Sequence, residues 1–162
     1  MKIAIIGQGY VGLALAKAAS SAGHKVVGFD TNLKVIEDIN IQITKGEFLN
    51  NSNYLPTNKE EDIKDRDIYI ITVPTPTDKH NRPVLTPMIK ASETIAVHLS
   101  KGDIVIYEST VYPGVTEEEM VPVLEKTSGL KFNIDFYCGY SPERINPGDK
   151  EHTVTKILKV TS

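Results

Sequence analysis

Ile3-Ala4-Ile5-Ile6-Gly7-Gln8-Gly9-Tyr10-Val11-Gly12 joins a buried-strand pattern to a G-x-G-x-x-G turn. A second apolar run, Val26-Val27-Gly28-Phe29, ends in Asp30, about twenty residues on, which is the spacing of a dinucleotide fingerprint. Each glycine has a task. Gly7 permits the tight turn out of the strand, Gly9 has no side chain to hold a pyrophosphate away, and Gly12 lets the following helix lie close to the strand. The helix N-terminus then offers free N–H groups to phosphate charge. Asp30 selects the nucleotide: a carboxylate at the end of the second strand accepts hydrogen bonds from the ribose hydroxyls of NAD and repels the 2′-phosphate of NADP. Lys34, one turn into the next helix, is placed either to reach a phosphate or to pair with Asp30, Glu37 or Asp38.

Working outward, strand-like and helix-like segments alternate, which predicts a doubly wound α/β domain with a parallel sheet covered on both faces, of the Rossmann type. Val11 to Ala22 reads as a helix with Val11, Leu15, Ala18 and Ala19 on its buried face and Gly23 as its stop. Leu33 to about Ile41 is a shorter helix, and the Asn-rich stretch Gly46 to Asn58 reads as a loop. Glu60 to Lys64 has room for one helical turn before a third strand, Ile68 to Val73. Thr86 is the expected cap of the next helix, with Pro87 in its first turn, Met88, Ala91, Ile95 and Leu99 as its buried stripe, and Lys101-Gly102 as its end. Asp103 to Tyr107 is a fourth strand, and Thr116-x-x-Glu119 reads as a capping box opening a helix to about Lys126. Phe132 to Gly139 is a fifth strand, and Ile157 to Val160 has the composition to begin a sixth.

The 162 residues match one ordinary domain, and a composition of 40% hydrophobic and 24% charged residues is that of a soluble globular chain. A net charge of -3 with scattered Lys and Arg provides no footprint for nucleic acid. No apolar stretch approaches the roughly 20 residues of a membrane span, and an N-terminus that is already a core strand leaves no room for a signal peptide. The single cysteine, Cys138, rules out an internal disulfide framework and fits a reducing cytoplasm. His24, His80, His98 and His152 are far apart, and no Cys/His cluster has metal-ligand spacing, so no metal is expected.

Ligands of doubly wound sheets bind beyond the carboxyl ends of the strands. Three rigid, hydroxyl-rich loops fall there: Thr72-Val73-Pro74-Thr75-Pro76-Thr77, Glu108-Ser109-Thr110-Val111-Tyr112-Pro113-Gly114, and Gly139-Tyr140-Ser141-Pro142-Glu143-Arg144-Ile145-Asn146-Pro147-Gly148-Asp149. Pro and Gly also simply make turns, but all three loops would stand over one crevice. With the Gly7–Gly12 turn, these loops resemble those of the nucleotide-sugar 6-dehydrogenases, the UDP-glucose/GDP-mannose dehydrogenase group. The ESTVYPG and YSPERINPGD forms resemble the branch acting on UDP-N-acetylhexosamines, the GlcNAc or ManNAc sugars, in bacterial surface polysaccharide synthesis. Enzymes of this family oxidise the sugar C6 alcohol to a carboxylate in two NAD-dependent steps, the second through a thioester on a cysteine.

The resemblance implies roles by position. Tyr10 and Val11 would lie along the pyrophosphate turn, Asp30 would hold the adenosine ribose, and Pro74 and Thr75 would meet the cofactor from the third strand. Thr110 would stand at the nicotinamide end, helping to hold a water or the reacting C6 group, and Glu143 would act there as an acid–base or hydrolytic-water helper. Glu143, Arg144 and Asn146 would face the sugar nucleotide. Glu143 and Arg144 read equally as a surface ion pair, and Thr110 as a buried hydroxyl satisfied by backbone. Residues 1–162 then correspond to an N-terminal NAD-binding domain. The family's nucleophilic cysteine, catalytic lysine and partnering asparagine belong to a central helical region and a C-terminal domain that the chain lacks, and the parent would be a cytoplasmic homodimer. Cys138 is no substitute, since a thiol inside a strand pattern is an inert filler. The Ile41–Tyr54 segment is shorter than the family's usual stretch. Taken alone, the chain is expected to bind NAD without turning over. The rival reading is a non-catalytic NAD-binding or regulatory module. An unrelated hydroxy-acid dehydrogenase would leave the second and third loops unexplained.

Overall fold

Short apolar runs flanked by turn formers make strands that are covered on both sides. In a computed structural model describing residues 1–46, 53–142 and 161–162, these are β1 (Lys2–Ile6), β2 (Lys25–Phe29), β3 (Tyr54–Thr57), β4 (Ile68–Ile71), β5 (Ile104–Tyr107) and β6 (Tyr137–Tyr140). All pair in parallel in the order β3-β2-β1-β4-β5-β6. The order reverses between β1 and β4, where such sheets open a crevice. Ile6 stands opposite Phe29 on one side and Ile71 on the other, so the three strands end level and their loops rise from one rim.

The helices are α1 (Tyr10–Ser21), α2 (Leu33–Thr44), α3 (Thr86–Ala96) and α4 (Val121–Ser128). Side chains alternate along each strand, so Ala4 and Ile6 enter one core while Ile3 and Ile5 enter the other. The larger core packs β4 and β5 against Met88, Ile95, Met120 and Leu124, and the smaller packs Ala16, Ile39 and Tyr54. Two phenols serve the larger core. The fully buried Tyr107 hydroxyl lies 2.8 Å from Ser92 Oγ, and Tyr69, pushed up to about 12 chiefly by burial, donates to the His98 carbonyl at 3.3 Å.

Several local expectations are corrected. The stretch read as a loop contains β3, with Tyr54 buried in the smaller core. β3 is the sheet edge, where Pro56 costs no ladder bond and so does not exclude a strand. The deepest line of α1 is Gly12, Ala16 and Ser20, not Val11, Leu15, Ala18 and Ala19, which are half-buried at its sides. The helix lies so close to the sheet that only small residues fit beneath it. α2 runs on to Thr44.

Thr86 is the first residue of α3 and not its cap. Leu85 precedes it with helical backbone and no side chain caps the end. Met88, Ala91 and Ile95 are buried as expected, but α3 stops at Ala96, and Leu99 reaches the core from the connection that follows. The Thr116–Glu119 box does not form. Thr116–Met120 is a π-helical turn leading into α4, with helical backbone already at Val115, whereas a capping threonine needs extended backbone. The expected fifth strand starts late, at Tyr137. Asn133, at φ +60°, turns the chain before it, and the Asp135 carboxylate accepts from the Lys131 amide at 3.0 Å and pairs with Lys101 at 2.9 Å. Ile157 to Val160 lie outside the described residues.

Gly12→Ala drives a methyl group into the Gly7 carbonyl oxygen and against Thr72 Oγ1, so urea denaturation should register a loss of about 1–3 kcal/mol. Cys138, half-buried on β6, is pushed up to about 12 by burial and by the charge of Glu117. At pH 8 iodoacetamide should therefore label it roughly a thousandfold more slowly in the folded protein than in urea, read by mass spectrometry.

Candidate functional site

The glycine turn sits at the rim between β1 and β4. Gly7 has φ +94°, its N–H donates to the Phe29 carbonyl at 2.8 Å, and a β-carbon on it would stand 3.2 Å from the backbone of Thr72 and Val73. Gly12 is required for the helix to approach. Gly9 differs from both: its φ of -69° and ψ of -165° suit any residue, and a β-carbon there would meet nothing within 4 Å. The protein's own packing therefore demands glycine at 7 and 12 but not at 9.

Gly9 faces an open cleft of about 410 Å³, lined also by Tyr10, Val11, the Thr72–Thr75 loop and the Glu108–Thr110 loop. The first hydrogen bond inside α1 runs from the Leu13 N–H to the Gly9 carbonyl at 3.0 Å. The amides of Tyr10, Val11 and Gly12 consequently have no partner within the helix and project from its positive end. Backbone donors around an open space, with a carboxylate one strand away, fit a dinucleotide.

Side chains hold this turn from behind. Thr72 Oγ1 donates to the Gly7 carbonyl at 2.7 Å and lies 3.0 Å from that of Ile6. Gln8, only 3% exposed, donates through Nε2 to the carbonyls of Ile5 at 2.9 Å and Gly7 at 3.2 Å, while its Oε1 accepts from the Tyr54 hydroxyl at 2.8 Å. Gly28 makes room for that pair: a β-carbon there would collide with the Gln8 carboxamide and stand 2.6 Å from the Tyr54 oxygen. Burial first, and then the charge of Asp30, hold the Tyr54 phenol far above its ordinary value.

Asp30 is half-buried and its carboxylate is fixed by two amides. Oδ2 accepts from the Gln8 N–H at 2.8 Å and Oδ1 from the Asn32 N–H at 2.9 Å. Asn32 in turn caps α2 by accepting from the Lys34 N–H at 3.1 Å. The Lys34 side chain is exposed and, among the described residues, makes none of the anticipated ion pairs with Asp30, Glu37 or Asp38.

On the far side of the cleft two loops are stitched together. Ser109 Oγ donates to the Val73 carbonyl at 2.6 Å, and Thr75 Oγ1 donates to the Thr110 carbonyl at 2.8 Å. Pro74 lines the cleft beside them, and the Thr110 side chain is exposed at its edge, not buried. Glu143, Arg144 and Asn146 lie outside the described residues. Among the described residues no three His, Cys, Asp or Glu side chains are grouped to hold a metal.

The structure thus brings Gly9, Tyr10, Val11, Pro74, Thr75 and Thr110 to one cleft, with Gly7 and Gly12 packed inside the turn behind it and Asp30 bonded to that turn. Gln8, Gly28, Tyr54 and Thr72 escaped the reading of the sequence. Gly28 carried a signal, since glycine inside a strand often marks a close approach, but its partners lie 20 and 26 residues away.

Comparison with known proteins places these features. The description "UDP-glucose/GDP-mannose dehydrogenase family, NAD binding domain" matches residues 1–160. The whole chain is 56% identical to the UDP-N-acetyl-D-glucosamine 6-dehydrogenase of Salmonella typhi and 54% identical to that of Pseudomonas aeruginosa. It spans 39% and 40% of the length of those relatives. A solved UDP-D-ManNAc dehydrogenase from Pyrococcus horikoshii superposes with a TM-score of 0.83 at 37% identity, covering 91% of this chain and 37% of that one. The chain belongs to the UDP-glucose/GDP-mannose dehydrogenase family and corresponds to its NAD binding domain.

Proposed function

We propose that this domain serves an NAD-dependent dehydrogenase that oxidises the C6 alcohol of a UDP-N-acetylhexosamine to the carboxylate. The observation that carries the cofactor reading is Gly9, a glycine with no steric reason inside the protein that opens on the cleft below α1. Support for the sugar nucleotide comes from the two 6-dehydrogenase relatives that match the chain over its full length. NAD supplies the hydride acceptor when bound. The amides of Tyr10, Val11 and Gly12 would hold its pyrophosphate, Asp30 its adenosine ribose, and Pro74 and Thr75 the wall beyond. Thr110, with its side chain exposed at the cleft edge, would orient a water or the C6 oxygen, while Glu143, Arg144 and Asn146 would face the sugar nucleotide. Lys34 is free to reach an adenosine-side phosphate.

The thiol that forms the thioester is assigned to the central helical region or C-terminal domain of the parent protein, because Cys138 keeps its proton at neutral pH. The parent is proposed to be a homodimer working in the cytoplasm, in keeping with a chain that carries one cysteine.

Fluorescence titration tests the cofactor part. The unmodified chain should bind NADH saturably and NADPH much more weakly; no saturable NADH binding would overturn it. Gly9→Ala should weaken NADH at least about tenfold by filling the phosphate cradle, while stability stays within about 1 kcal/mol because the new methyl meets no protein atom. Asp30→Asn should contract the NADH-over-NADPH preference by roughly tenfold, since the repulsion of a 2′-phosphate goes with the charge. Incubated with NAD and either UDP-N-acetylglucosamine or UDP-N-acetylmannosamine, this chain alone should yield no C6 carboxylate by mass spectrometry. Carboxylate formation would refute the assignment of the nucleophile elsewhere.

A further inference from the structure

Behind the glycine turn runs a chain of buried polar side chains that links the edge strand to the turn. Tyr54 stands on the edge strand β3, yet its hydroxyl crosses β2 over Gly28 to donate to Gln8 Oε1 at 2.8 Å. The same Gln8 side chain clamps the carbonyls of Ile5 and Gly7 through Nε2, while the Gln8 backbone N–H donates to Asp30 Oδ2 at 2.8 Å. Gln8 is 3% exposed and Tyr54 8%, so neither reaches the cleft in which a nucleotide would lie. A buried carboxamide and a buried phenol are costly unless paired, and hydrophobic residues of the same size would fill this space without that demand. The pair therefore has a use other than packing.

Resting on the reading of this turn as a nucleotide site, we infer that Tyr54 and Gln8 are positioning residues for the cofactor. Tyr54 orients the Gln8 carboxamide, and Gln8 holds the turn so that its own N–H fixes the Asp30 carboxylate toward the adenosine ribose. β3 thereby sets the cofactor preference from two strands' breadth away. Gly28 belongs to the device, because any side chain there would push Gln8 and Tyr54 apart.

The test compares the unmodified protein, Tyr54→Phe, and the double variant Gln8→Met/Tyr54→Phe, titrated with NADH, NADPH and ADP-ribose and melted without ligand. Tyr54→Phe should weaken NADH and ADP-ribose by the same factor, roughly tenfold, and narrow the NADH-over-NADPH ratio, because Gln8 Oε1 is left buried and unpaired and the turn relaxes. Replacing both partners with apolar groups of similar shape removes the unpaired atom, so the double variant should regain melting temperature. It should not regain affinity or preference, since the clamp on Ile5 and Gly7 is gone. A merely structural pair behaves otherwise: affinity would return with stability, and that result overturns the inference. So does a Tyr54→Phe protein that keeps the original affinities and ratio. If the unmodified protein fails to bind NADH at all, the nucleotide reading fails first, which separates the two. Should Tyr54→Phe not fold, the folded double variant still decides, through its ratio.

Discussion

The close approach of α1 to β1 is the constraint on which the rest depends. It exists because two glycines and a threonine meet at one point: Gly7 turns the chain at φ +94°, Gly12 brings no β-carbon against the Gly7 carbonyl, and Thr72 donates to that carbonyl from just beyond the end of β4. Ala16 and Ser20 continue the thin line beneath the helix. With α1 pressed this close, its N-terminus stands over the gap between β1 and β4, and the unpaired amides of its first turn face the cleft. A bulkier line would lift the helix, and the amides would no longer converge on a single point.

Polar groups behind the turn convert this packing into recognition geometry. Low dielectric makes every unpaired buried polar atom expensive, so the contacts of Gln8, Thr72 and Tyr54 permit few alternatives. Asp30 is the outcome: a carboxylate held by two backbone amides has little rotational freedom left to lose on accepting a further hydrogen bond. Ser109 and Thr75 act similarly on the opposite wall, joining the loops after β4 and β5 so that the cleft is largely formed before any ligand enters.

The same physics separates holding from chemistry. Cys138 lies half-buried between the β5 loop, the π-helical turn and β6, where burial and the charge of Glu117 keep it a thiol. The described part of the domain thus presents donors, hydroxyls and the fixed Asp30 carboxylate, a set suited to binding and orienting a cofactor. A sulfur nucleophile requires an exposed thiol next to positive charge.

Much of this was legible in the linear sequence. The strand–turn–helix junction at Gly7–Gly12, the acid at position 30 and the alternation of elements depend on local backbone rules and on apolar periodicity, which act over a few residues. The parallel sheet, its helices and the loops after β4 and β5 follow from them. What escaped depended on partners distant in the chain. β3 was hidden because Asn-rich flanks and Pro56 argue against a strand, and only pairing with β2 and burial of Tyr54 stabilise it. The helix starts at Thr86 and Thr116 were misjudged because a capping hydroxyl competes with helical backbone already present one residue earlier. The inner face of α1 was misread because hydrophobicity ranks leucine above glycine, whereas the distance to the sheet admits only the smaller residue. Sequence determined that a nucleotide turn exists and which acid accompanies it; tertiary structure decided what holds that turn still, because Gln8, Gly28, Tyr54 and Thr72 meet only after four strands have aligned.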